Sequence, residues 1–140
     1  MQTTMERTDE GAGGLVTWLG DGWVRKTQKS SARKRGGRLS VSDQQRLAAW
    51  AHTWLAAGGG RLYAPAVRDS AIPHSYEMEA VDTTGDPWFL CAPPADLAAA
   101  VAAFVTAART EQSVELWDCE FYTGADGRVA VLDFDQCRRV

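Results

Sequence analysis

Cysteine is scarce in this chain. Cys91, Cys119 and Cys137 are the three among 140 residues, and no two form a Cys-x-x-Cys pair. That count excludes a disulfide framework or a zinc ribbon and makes a reducing compartment the expectation. Long apolar runs are lacking too: the longest, residues 97–108, is Ala-rich and about a dozen residues long, against the roughly 20 needed to span a bilayer. The N-terminus, Met1-Gln-Thr-Thr-Met-Glu-Arg-Thr-Asp-Glu, has acidic residues and no apolar core, which is not the pattern of a signal peptide. Nor does one sign of charge dominate. Lys plus Arg number 15 against 18 Asp plus Glu, a net charge of -3, which excludes a wholesale polyanion binder but not a local basic patch. No internal repeat is visible. A soluble, cytoplasmic, single-domain protein is the expectation.

The remaining composition is that of a globular protein, with 45% hydrophobic and 24% charged residues. Residues 1–10 read as a flexible polar lead-in and 11–140 as one domain. Leu15 to Leu19 and Trp23 to Lys26 flank Gly20-Asp21-Gly22, a hairpin signal because the turn needs positive φ. Residues 25–38 carry seven positive charges and no negative one, the composition of a solvated loop. Ser42 with Gln45 has the form of a capping box. Leu47, Trp50, Ala51, Trp54 and Leu55 then make one helical apolar face, ended by Gly58-Gly-Gly60. His52 lies off that face.

Leu62 to Val67 and Ser75 to Val81 read as strands, the second with Tyr76 and Met78 alternating with Glu77 and Glu79. A second helix is predicted from Pro93-Pro94 to about Arg109, burying Leu97, Val101, Phe104, Val105 and Ala108. Val114 to Tyr122, a turn at Gly124-Ala-Asp-Gly127 and Arg128 to Asp135 complete the chain as a second hairpin. The fold class predicted is α+β, with antiparallel β-hairpins and two main helices.

Three features carry chemistry. Gly11, Gly13 and Gly14 precede a strand, where glycines let backbone amides approach a phosphate, and Lys26 on the next strand supplies a point charge. Asp133 and Asp135 follow an apolar strand, a position in which hard oxygens can hold Mg²⁺ beside a phosphate. Glu115, Asp118 and Glu120 lie on the partner segment of the same hairpin. Cys119, set among these carboxylates, is expected to have a raised thiol pKa, which opposes nucleophilic use. Cys137 reads as a strand-end residue, and His74 has no Cys or Asp neighbour at catalytic spacing.

In their order along the chain these features resemble the protein-kinase-like fold, in particular its aminoglycoside-phosphotransferase and small-molecule kinase branch. Gly11-Ala-Gly-Gly-Leu-Val-Thr-Trp-Leu-Gly-Asp-Gly-Trp-Val-Arg-Lys26 is similar to that family's glycine-rich loop, second strand, tight turn and third strand ending in the phosphate-binding lysine. The helix from Ser42 resembles its mobile N-lobe helix. Tyr76-Glu-Met-Glu-Ala-Val-Asp82 resembles its fifth strand and hinge, and the helix from Pro94 its first long C-lobe helix. Asp126-Gly-Arg-Val-Ala-Val-Leu-Asp-Phe-Asp135 is similar to its metal-binding hairpin motif. The resemblance divides the domain into an N-lobe-like part, 11–82, and a reduced C-lobe-like part, 83–140.

What the resemblance implies is ATP and Mg²⁺ as ligands. Gly11, Gly13, Gly14 and Lys26 would hold phosphates, and the backbone near Glu79 and Val81 would hold adenine, with Met78 behind it. Asp133, with Glu120 and Asp135, would hold the cation. Counting back from Asp133, the family's catalytic aspartate falls on Glu115 and its metal-binding asparagine on Glu120, with Asp118 the neighbouring candidate base; Ser113 stands where its histidine is expected. The first helix has no glutamate to pair with Lys26, so Gln44 and Gln45 are the nearest polar candidates. Five residues follow Asp135, with no counterpart of the activation segment.

The expected function is therefore a minimal kinase-like protein binding Mg-ATP, with weak or absent phosphotransferase activity. Two competing readings are a non-catalytic pseudokinase-like interaction module and an α+β protein using residues 25–38 on an acidic or nucleic-acid partner. Six tryptophans imply an apolar patch for a protein partner or a second copy of the chain. No membrane association is expected.

Overall fold

Alternation of side chains along short strands builds the first half of the molecule. In the computed structural model, which describes residues 7–10, 14–28 and 39–140, the chain begins with β1 (Arg7–Glu10), β2 (Gly14–Trp18) and β3 (Trp23–Gln28). Asp21 shapes the β2–β3 turn by accepting a hydrogen bond from the Trp23 amide at 3.1 Å, while Gly20 and Gly22 take φ values of 81° and 88°. Residues 7–10, expected in a flexible lead-in, are instead a strand paired with β2. Their polar sequence hid this, since an edge strand can be held by backbone bonds alone. The solvated loop predicted over 25–38 does not begin at Arg25: Arg25 to Gln28 continue β3, and residues 29–38 lie outside the described residues.

The helix α1 (Val41–Gly58) starts earlier than the Ser42 box predicts. Ser40 is the cap. Its extended backbone lets its hydroxyl accept from the Asp43 amide at 3.1 Å, an arrangement that stabilises a helix by about 1 kcal/mol. Gly59, at φ 67°, ends the helix as expected. After β4 (Leu62–Tyr63) and β5 (Val67–Asp69), β6 (Ser75–Glu79) returns to the first sheet, which is antiparallel throughout in the order β1-β2-β3-β6-β5.

The second half opens with β7 (Trp88–Phe89) and α2 (Ala98–Gln112). α2 begins later than the prolines suggested, because Pro94 closes a separate turn by accepting from the Leu97 amide at 3.0 Å. Asp96, in that turn, accepts a hydrogen bond from Arg61 at 2.7 Å. The strand expected over 114–122 is two: β8 (Val114–Glu115) and β9 (Glu120–Thr123). Asp118 adopts φ 54°, which no strand tolerates, and the chain turns there. β9 pairs with β10 (Val129–Leu132), and the second sheet runs β4-β10-β9-β7 with a parallel β4–β10 contact. β11 (Arg138–Arg139) pairs with β8.

One apolar cluster joins the helices to the second sheet. Leu47, Ala51 and Leu55 of α1 meet Val101, Phe104 and Ala108 of α2 and Phe121, Val129 and Val131 of the β9–β10 hairpin. Trp50 stacks on Phe104 at 5.8 Å and Trp88 on Phe121 at 4.2 Å. His52 is exposed as a residue, as expected, with Nδ1 2.7 Å from the Ala64 carbonyl. The α+β class, with its antiparallel hairpins and its pair of helices, is as expected. Among the described residues no helix is long and apolar enough to cross a membrane.

Candidate functional site

The two sheets enclose a cavity of about 470 Å³. Strand periodicity selects its walls. Gly14, Val16 and Trp18 of β2 and Val24, Lys26 and Gln28 of β3 alternate onto the inner face, joined by Tyr76 and Met78 of β6. Glu120 and Tyr122 of β9 face them from below, while Phe121 between them points into the apolar core. Val41 and Gln44 of α1 close one side.

The floor is acidic. Asp118, Glu120, Asp133 and Asp135 all line the cavity, and Lys26 is the basic residue among the described residues that do so. Lys26 Nζ stands 3.8 Å from Asp133 Oδ1, with both side chains largely shielded, at 18% and 33% exposure. Burial works against the Lys26 charge. The acidic groups around it, the Tyr76 phenol together with the carboxylates of Asp133, Asp135 and Glu120, outweigh burial and hold its pKa well above that of an ordinary lysine, with the carboxylates supplying the negative charge at neutral pH. Asp133, directly after β10, has φ 71°. Asp118 and Asp133 thus both occupy the left-handed region, in which aspartate is more at home than most residues and which recurs at functional sites.

Tyr122 and Glu120, two apart on one strand face, form a pair: the Tyr122 hydroxyl donates to Glu120 Oε2 at 3.0 Å. Burial raises the Glu120 carboxyl above the usual range, the Tyr122 bond works against this, and Asp133 adds to the rise. Burial and the same bond push Tyr122 up to about 12, so it remains a donor at neutral pH.

The site residues predicted from sequence divide. Gly14, Lys26, Val81, Asp118, Glu120, Asp133 and Asp135 line the cavity together. Gly11 and Gly13 lie outside the described residues. Gly14 has a structural reason for being glycine, since a Cβ there would sit 2.7 Å from the Thr27 carbonyl oxygen. Glu115 is not at the cavity: it is exposed on β8, opposite Arg138 and 4.0 Å from Arg109. Glu79 is turned away as well, its amide donating to the Ala66 carbonyl and its carboxylate accepting from the Ala66 amide. The Glu79 amide is therefore already used by Ala66, and Glu115 sits on a separate two-stranded sheet away from the cavity.

Gln44 does line the cavity, yet its amide donates to the Leu39 carbonyl at 3.1 Å, as Gln28 does at 3.2 Å, and Gln45 binds Asp69. Asp133, not a helix residue, is the counter-charge recorded for Lys26. Tyr122, Tyr76 and Gln28 were missed from sequence, although the period of two from Glu120 and from Lys26 places them on the same faces. The Cys119 thiol is raised as expected, but the leading causes are its hydrogen bond with Cys137 and burial, ahead of any carboxylate. Of the tryptophans, Trp117 alone is exposed among the described residues, at 60%.

The donors at the floor are hard carboxylate oxygens, which fit Mg²⁺ or Ca²⁺ and not a soft metal. Among the described residues, no group of three His, Cys, Asp or Glu side chains is gathered to metal-binding distance. The chain matches no protein-family model, no curated protein and no solved structure.

Proposed function

We propose that this chain is a minimal kinase-like module that binds a Mg²⁺–nucleoside triphosphate, ATP by resemblance, in the cavity between its two sheets. The observation that carries the reading is the placement of Lys26 across from Asp133, 3.8 Å apart at the junction of a glycine-entered hairpin and an acidic floor. A polyphosphate with its cation needs both signs of charge side by side, and the cavity offers them.

Lys26 binds phosphate oxygens as a permanently charged ammonium, since its pKa lies far above neutrality. Asp133 and Glu120 are the carboxylates for the cation. Mg²⁺ favours this limited donor set because it takes one or two carboxylates and fills its octahedron with phosphate oxygens and water. When bound, the cation neutralises charge developing on the transferred phosphoryl group. Val24, Met78 and Leu132 supply apolar walls for a base, and Val81, two residues past β6, is the hinge residue that reaches the cavity. Asp118 replaces Glu115 as the group to accept a proton from a phosphate acceptor, because only Asp118 lines the cavity.

Titration with a fluorescent ATP analogue, competed by Mg·ATP, tests the reading. Saturable binding that weakens at least tenfold in Asp133→Asn supports it, and equal binding by the variant overturns it. Where nucleotide binds, γ-phosphate release that vanishes in Asp118→Asn distinguishes an active transferase from a binding module. Weak or absent transfer is the expected outcome.

A further inference from the structure

Cys119 and Cys137 meet beneath the acidic floor, 18 positions apart in sequence, with their Sγ atoms 3.9 Å apart. Both are free thiols with 0% exposure. Each also lies near the Trp117 carbonyl oxygen, at 3.9 and 3.8 Å. Their neighbours place them at the cavity. Cys119 is flanked by Asp118 and Glu120, and Cys137 follows Gln136; all three of these neighbours line it. Backbone pairing holds the two segments close on both sides: the β9–β10 ladder begins at Glu120, next to Cys119, and β8 pairs with β11 over two residues.

We propose that Cys119 and Cys137 are a reversible disulfide site, oxidised by a small disulfide of the glutathione type, and that the bond clasps the β8–β9 turn to the segment between β10 and β11. The proposal does not rest on nucleotide binding. A disulfide needs its sulfurs about 2.05 Å apart, so closure asks for an approach of about 2 Å shared between two short irregular segments. In the first step one cysteine sulfur attacks the reagent disulfide, and one small thiol leaves. The second cysteine sulfur then attacks the mixed disulfide and expels the other small thiol. The two cysteines give up two electrons and two protons, and the reagent is reduced to two thiols. Burial makes the first step slow, because a segment must open to admit the reagent. The same burial then protects the bond. Closure fixes the aspartates and the glutamate of the floor to one another, and a loop of this length is one whose cross-linking adds appreciable stability.

The exposed Cys91 is removed by Cys91→Ser, and this variant is incubated folded with oxidised glutathione, then alkylated and weighed intact. The expected product has lost the mass of two hydrogen atoms, resists alkylation and yields a Cys119–Cys137 cross-linked peptide. Its thermal midpoint lies several degrees above that of the dithiothreitol-reduced chain and returns on reduction. Adding Cys137→Ser abolishes the mass loss. Two thiols that stay open to alkylation after prolonged incubation, a stable glutathione adduct on one cysteine, or a bond that lowers the midpoint would each overturn the proposal. Because the native cysteines are weighed directly, the result does not depend on a buried-site variant folding.

Discussion

The sheet wall of the cavity presents mostly uncharged side chains around one ammonium, Lys26, whereas the hairpin wall presents Asp118, Glu120, Asp133 and Asp135. The sheet wall is a continuous antiparallel ladder, and the hairpin wall ends in turns where Asp118 and Asp133 have positive φ. Regular backbone thus carries the cation and Glu120, and irregular backbone carries the three aspartates. Strands can place Lys26 and Glu120 by alternation alone, but setting Asp118, Asp133 and Asp135 beside them needs segments that leave the ladder and an apolar core beneath to hold them.

The largest effect should come from that core. Phe121 is fully buried and stacked on Trp88, between two cavity residues on the same strand. Phe121→Ala is expected to lower the unfolding free energy by about 3–5 kcal/mol, read by chemical denaturation. A loss below 1 kcal/mol would break the claim that β9 divides core from site residue by residue. Next, Lys26→Met should weaken Mg·ATP binding at least tenfold, about 1.4 kcal/mol, in an equilibrium titration. It should also lower the stability of the free chain, because Asp133 is left shielded without its counter-charge.

The crowded floor predicts a gain on removing charge. The folded-state pKa of Glu120 is raised, so its stabilising contribution is complete below the unfolded value, about 4.3, and is lost as pH rises through the folded one. Glu120→Gln should therefore raise the thermal midpoint of the free chain at pH 7 and leave it unchanged near pH 4. The smallest effect belongs to Asp43. Burial opposes its ionisation, but hydrogen bonds from Arg139 and Ser40 more than offset this and lower its pKa. That contribution is present above about pH 4 and lost as pH falls through the folded value. Asp43→Asn should flatten the acid limb of the stability profile by under about 1 kcal/mol, since Arg139 is 65% exposed.

Much of this was legible in the residues. Asp21-Gly22 and Asp126-Gly127 marked both hairpins, and the face from Leu47 to Leu55 marked α1, because turn chemistry and periodicity are local. Lys26 and Asp133 were legible as a pair of strand ends, yet their proximity depends on how two sheets stack, which no local pattern encodes. Glu115 and Glu79 lie off the cavity for separate reasons: the chain turns at the left-handed Asp118, which leaves β8 in a sheet of its own, and the Glu79 amide is taken by Ala66, a tertiary contact. β1 escaped notice because backbone pairing needs no apolar signature. The Cys119–Cys137 contact is likewise tertiary, joining residues that look isolated in sequence.

The central claim is that opposite charges on the two walls together bind a metal–nucleotide. The most direct measurement is the thermal midpoint of the full chain with millimolar Mg·ATP, against ATP with chelator, for the native protein, Lys26→Met and Asp133→Asn. Binding to the folded state raises the midpoint by mass action. The account predicts a rise for the native chain that needs Mg²⁺ and is lost in both variants. No rise for the native chain, or an equal rise in all three, would contradict it.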